Sequence, residues 1–115
     1  MYTILHNSRC GKSRDAVNYL QEQGVEYQIR EYLKDELNFD ELKLIIEDLK
    51  IQPIDLVRTN EAIWKEKFKG NDYNDDEIIQ IMIENPKLIQ RPIVLKEGSG
   101  VIGRPLELVE EFIKK

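Results

Sequence analysis

The apolar positions change their spacing along the chain, and each change marks an element. Residues 2–5 form a short apolar run, which predicts a buried strand. From Ser13 the period becomes helical: Ser13, Ala16, Val17 and Leu20 recur at i, i+3, i+4 and i+7. The predicted helix covers about 11–23, with Gly24 as a natural stop. Residues 27–31 alternate weakly and predict a second strand, which Val25 could extend. Strand, helix and strand in this length imply a βαβ unit with a right-handed crossover. A connector over 33–38 follows.

The chain to about Gln90 is mostly helical in pattern. Asn38 and Asn74 each precede a glutamate at +3, Glu41 and Glu77, which is the signature of a capping box. Leu42, Ile45, Ile46 and Leu49 make one apolar stripe; Ile78, Ile79, Met82 and Ile83 make another. Between them, Pro53 opens a short predicted helix through Val57, and a second over 61–68 carries Trp64 and Phe68 on one face. Gly70-Asn71-Asp72 breaks that helix, and Asn85-Pro86 ends the long one.

The last quarter returns to strand character. Residues 93–95 follow Arg91-Pro92 as a β-type run. Residues 97–100 read as a turn, so Val101-Ile102 pairs back as a hairpin. Pro105 is placed as the first residue of a closing helix, with Leu108, Val109 and Phe112 as its buried face. The order β-α-β, helical insert, β-β-α predicts an α/β protein with a thioredoxin-like arrangement and a mixed sheet. The expectation is one domain over 1–115, with the helical insertion at 33–90.

Composition narrows the function. The 115 residues suffice for one core. A net charge of −5 argues against a general nucleic-acid or membrane binder. The single cysteine forbids an internal disulfide, and no apolar run reaches membrane-spanning length; the expected location is cytoplasmic.

That cysteine carries the candidate chemistry. Cys10 lies where the first strand passes into the first helix, with Arg9, Lys12 and Arg14 close in sequence. Unpaired N–H groups and the positive end of the helix dipole favour an anion there. An ordinary thiol is only about 3% thiolate at pH 7; making the thiolate the majority form needs roughly 2.7 kcal/mol of preferential stabilisation. A helix N-terminus with a nearby cation can supply it. Cys10-Gly11-Lys12-Ser13 is a C-x-x-S motif. Ser13 cannot resolve a mixed disulfide, though its hydroxyl could donate to the thiolate, so an external thiol must complete any cycle at Cys10.

Four motifs in register resemble a family. His6-Asn7-x-x-Cys10-x-x-Ser13, Leu56-Val-Arg58-x-Asn60, Arg91-Pro92-Ile-Val94 and Gly103-Arg104-Pro105 are similar, over nearly the whole chain, to the bacterial glutaredoxin-dependent arsenate reductases. These share a superfamily with the Spx-type regulators of RNA polymerase. The resemblance implies a thioredoxin-like fold with a helical insert, and a thiolate at Cys10 that attacks arsenate or another small oxyanion. It implies that Arg58, Arg91 and Arg104 hold the oxyanion, with His6, Gly11, Lys12, Ser13 and Pro92 in support and Pro92 in the cis form. Glutathione as co-substrate and glutaredoxin as reductant follow from the same resemblance, within arsenical resistance. No bound cofactor, metal, direct nucleic-acid contact or membrane contact is expected.

Some assignments stay open. Lys12 reads either as a surface amine or as a cation assisting the thiolate. His6 reads either as part of a hydrogen-bond network around the thiol or as a buried histidine bonded to backbone. Arg9 and Arg14 read as surface residues. Ser8 stands where better-known members have proline, and Lys12 where they often have a small or polar residue. Two other functions compete with arsenate reduction. One is an Spx-like polymerase-binding regulator, although a C-x-x-C redox switch cannot be built with Ser13. The other is a glutathione-dependent oxidoreductase without an arsenate role.

Overall fold

The computed structural model describes residues 1–114. The chain divides into two compact units, Met1–Glu36 with the segment from Arg91 onward, and Leu37–Gln90.

The first unit is built on a four-stranded mixed sheet ordered β2-β1-β3-β4. Strand β1 (Tyr2–Leu5) pairs in parallel with β2 (Tyr27–Arg30) and antiparallel with β3 (Ile93–Lys96), which pairs antiparallel with β4 (Ser99–Ile102). This is the expected thioredoxin-like arrangement. Ile4 sits opposite Val94, and Val94 opposite Val101, so one face carries an apolar row across three strands. That row packs with helix α1 (Gly11–Glu22) and helix α5 (Glu107–Lys114): Tyr2, Ile4, Ala16, Leu20, Val94 and Val109 form the buried cluster. Tyr2 also meets the Phe112 ring edge-on at 6.0 Å.

Several boundaries differ from the pattern reading. Strand β2 stops at Arg30 and does not extend to Val25. The hairpin turn is shorter than four residues: β4 begins at Ser99, paired with Lys96, which leaves Glu97-Gly98 as the loop. A two-residue turn needs a positive φ, and Gly98 supplies it at φ 72°. Pro105 is not the first helical residue. It lies before α5, joined to Arg104 by a cis peptide, and its carbonyl accepts from Leu108 N–H at the helix entry. With α5 starting at Glu107, the inward stripe runs through Leu106, Val109, Phe112 and Ile113. Leu108 falls off that stripe and is 38% exposed.

The second unit is helical. It contains α2 (Phe39–Leu49), α3 (Ala62–Lys67), α4 (Asp75–Glu84) and 3₁₀ turns at Pro53–Leu56 and Pro86–Leu88. Both expected capping boxes form: Asn38 accepts from Glu41 N–H at 2.8 Å and Asn74 from Glu77 N–H at 2.8 Å, and each glutamate returns a bond to the cap N–H. The Pro53 turn stops at Leu56 because Val57 leaves it to form a β-bridge with Ile89. Helix α4 is flanked by α2 and both 3₁₀ turns, so its buried set is Ile78, Ile79, Ile81 and Met82. Ile83, expected in that stripe, is half-buried in place of Ile81.

Candidate functional site

Cys10 is the N-cap residue of α1, with extended backbone at φ −96° and ψ 121°. Its side chain does not cap the helix. The turn that delivers it is knitted from short polar residues. Cys10 N–H donates to the Asn7 carbonyl at 2.9 Å, and Arg9 N–H to Asn7 Oδ1 at 3.0 Å, an Asx turn. Arg14, one turn into α1, reaches back and donates from Nη1 to the Ser8 carbonyl at 2.9 Å. Asn7 and Arg14 therefore organise the loop. The asparagine in a turn was the readable signal for the first; nothing local signals the second.

The sulfur sits among donors. Burial alone would push the Cys10 thiol up, because the charged form loses water. Opposing it are the main-chain N–H of Ser13, the Arg91 side chain, the main-chain N–H of Lys12 and the charge of Arg104, each of which favours the thiolate. The net result is a pKa below the ordinary thiol value. Arg104 Nη2 donates to Sγ at 3.3 Å. The same guanidinium is fixed by Nε, which donates to the Arg91 carbonyl at 2.6 Å. One main-chain oxygen thus aims the arginine that faces the sulfur.

Arg91 and Arg104 flank the β3-β4 hairpin, and both precede a cis proline, Pro92 and Pro105. Gly103 lets these segments meet. Its N–H donates to the Pro92 carbonyl at 2.8 Å, and a Cβ there would stand 2.9 Å from Pro92 Cγ and 2.7 Å from Val109 Cγ2. Pro92 is buried.

Ser13 does not use its hydroxyl on the sulfur, contrary to expectation. The side chain is fully buried; Oγ accepts from Asn7 N–H at 3.1 Å and is hydrogen-bonded to His6 Nδ1 at 2.6 Å. It is the Ser13 backbone N–H that serves the thiolate. His6, 8% exposed, has its pKa lowered mainly by burial, with Arg14 adding to the effect against Glu31. It is joined to the thiol loop through Ser13. Lys12 acts on the sulfur through its N–H, while its side chain is exposed. Gly11 is exposed at the first helical position.

Arg58 belongs to the helical unit. Its N–H donates to the Leu88 carbonyl at 2.6 Å, and Nη1 lies 3.4 Å from Glu61 Oε1. That partner was not foreseen. Among the described residues no three His, Cys, Asp or Glu side chains converge as metal ligands, and no helix is long and apolar enough to cross a membrane.

Comparison with known proteins gives a consistent picture. The ArsC family model matches residues 5–112. The chain is 38% identical over 112 residues to the uncharacterized protein YfgD of Escherichia coli K12, covering 96% of this chain and 94% of that protein. It is 35% identical over 112 residues to an arsenate reductase of Neisseria meningitidis serogroup B, covering 96% of each. Among solved structures, a putative arsenate reductase from Yersinia pestis superposes with a TM-score of 0.91 at 38% identity, over 96% of this chain and 99% of that one.

Proposed function

The chain belongs to the ArsC family, and from that premise we propose that it reduces arsenate, with Cys10 as nucleophile and external thiols as the source of electrons. The observation that carries the reading is the thiol itself: a pKa held down at a helix N-terminus, with a guanidinium 3.3 Å from the sulfur.

The Cys10 thiolate attacks arsenic and displaces a protonated oxygen as water, forming an S–As(V) bond. Arg91 and Arg104 hold the remaining oxygens through charge-assisted hydrogen bonds, and Arg58 is proposed as the third such group. The same guanidinium groups stabilise charge in the transition state. Glutathione then completes the two-electron reduction. Arsenite leaves, and the two sulfurs that supplied the electrons end as a Cys10–glutathione mixed disulfide. Because no second cysteine exists in the chain, glutaredoxin reduces that disulfide and restores Cys10.

The test is arsenate-dependent NADPH consumption in a coupled glutathione–glutaredoxin assay. Cys10→Ser is expected to fall to background, and Arg91→Ala by roughly 100-fold, the scale of losing one donor to developing charge. Equal rates in wild type and both variants remove the reading. Reduction of mixed disulfides without any arsenate turnover selects a thiol oxidoreductase of another substrate.

A further inference from the structure

A recess beside the thiol loop shares none of the side chains that address the sulfur. It is a cavity of about 260 Å³ lined by His6, Gly11, Arg14, Asp15, Val17 and Asn18. Gly11 adjoins Cys10 in sequence, so the recess opens next to the reacting residue. Its volume falls just under the roughly 300 Å³ at which sites for whole drug-sized ligands begin, which suits one end of a longer molecule.

The charges in the wall are of both signs. Arg14 and Asp15 are consecutive on α1. Asn18 follows at i+4 and i+3 from them, on the same side of the helix. A simple oxyanion is disfavoured by the Asp15 carboxylate, and a simple cation by the Arg14 guanidinium. A group carrying a carboxylate and an ammonium together meets an opposite charge on each side, with the Asn18 amide as a further donor and acceptor. His6, also in the lining, is buried and has its pKa lowered, so it adds little positive charge.

Cys10 has no resolving partner in the chain, so a thiol must come from outside. We propose that this cavity seats the zwitterionic amino-acid end of that low-molecular-weight thiol, while its sulfur reacts at Cys10. The inference rests on Cys10 being a nucleophile whose cycle an external thiol completes; it does not depend on arsenate as the oxidant.

The exchange that reads it needs no arsenic. The Cys10 thiolate attacks one sulfur of a disulfide: one S–S bond breaks, one S–S bond to Cys10 forms, and the electron pair leaves on the departing thiolate. The full chain, as wild type, Asp15→Asn and Arg14→Gln, is mixed with oxidised glutathione, which has a zwitterionic end on each half, or with neutral hydroxyethyl disulfide. Mass spectrometry follows the mixed disulfide. The ratio of the glutathione rate to the hydroxyethyl rate is expected to fall about fivefold in each variant, the size of a partly exposed charge contact. Using the ratio removes any change that Arg14→Gln causes through its bond to Ser8. An unchanged ratio in both variants overturns the proposal. Loss of arsenate turnover with the ratio intact in wild type removes the arsenate reading alone.

Discussion

At the scale of single residues, the thiol is governed by donors of two kinds. Main-chain N–H groups of Lys12 and Ser13 come with the helix terminus; guanidinium groups come from Arg91 and Arg104. They are separable by mutation. Arg104→Ala removes the contact at 3.3 Å and is expected to raise the Cys10 pKa, so the thiolate fraction at pH 7 falls. Thiolate absorbance against pH, or the pH dependence of alkylation, measures this; an unchanged titration contradicts it. Ser13→Ala has the opposite profile. The N–H that serves the sulfur remains, so the pKa stays close to wild type. The buried His6 Nδ1 and Asn7 N–H lose their shared partner, which costs about 1–3 kcal/mol in denaturant unfolding.

At the scale of elements, caps and close approaches set the boundaries. Asn74→Ala removes the cap of α4 and is expected to cost about 1 kcal/mol, read from a urea transition, with little effect on the thiol. Gly103→Ala acts where β4 ends and α5 approaches. The added methyl would meet Val109 and Pro92 inside 3 Å, neither being the loose end of a flexible chain. Overpacking of this kind costs about 1–3 kcal/mol. It also moves the segment that carries Arg104, so stability and the Cys10 titration are expected to shift together. A Gly103→Ala protein with both unchanged refutes that coupling.

At the scale of the whole molecule, one titration links stability to the site. His6 has a folded pKa below its ordinary value of 6.5. The unfolded chain therefore binds a proton at a pH where the folded chain does not. Stability contributed by neutral His6 is present above about pH 6.5 and is lost as the pH falls from there through the folded pKa. Unfolding midpoints are expected to decline from pH 7 to pH 5 more steeply in wild type than in His6→Gln; identical slopes count against the buried histidine as the cause. The sheet also brings together residues far apart in sequence: β1 lies against β3, and Arg104 reaches Cys10. The helical unit is assembled from nearer neighbours, with short connections and local caps.

The sequence by itself determined the elements and the reactive group. Hydrophobic period, together with cap and turn residues, located the strands and the α-helices, since burial of one face repeats along the chain and leaves a local trace; the 3₁₀ turn at Pro86–Leu88 was not among them. Asn38 and Asn74 announced their helices, because a cap and its glutamate lie within one turn. Cys10 at a helix start was legible for the same reason: the N–H groups that favour its anion are its immediate successors. What the pattern could not decide was where side chains end up once distant strands pair. Only the tertiary structure turned the Ser13 hydroxyl to His6, moved Leu106 inward in place of Leu108, and set Pro105 ahead of its helix. Only it fixed the Arg104 guanidinium between the Arg91 carbonyl and the sulfur. The Ser13–His6 bond spans seven residues and turns on how the thiol loop folds against α1, whereas the Arg104 placement depends on the register of β1, β3 and β4, a relation between distant segments about which no short window of sequence carries information.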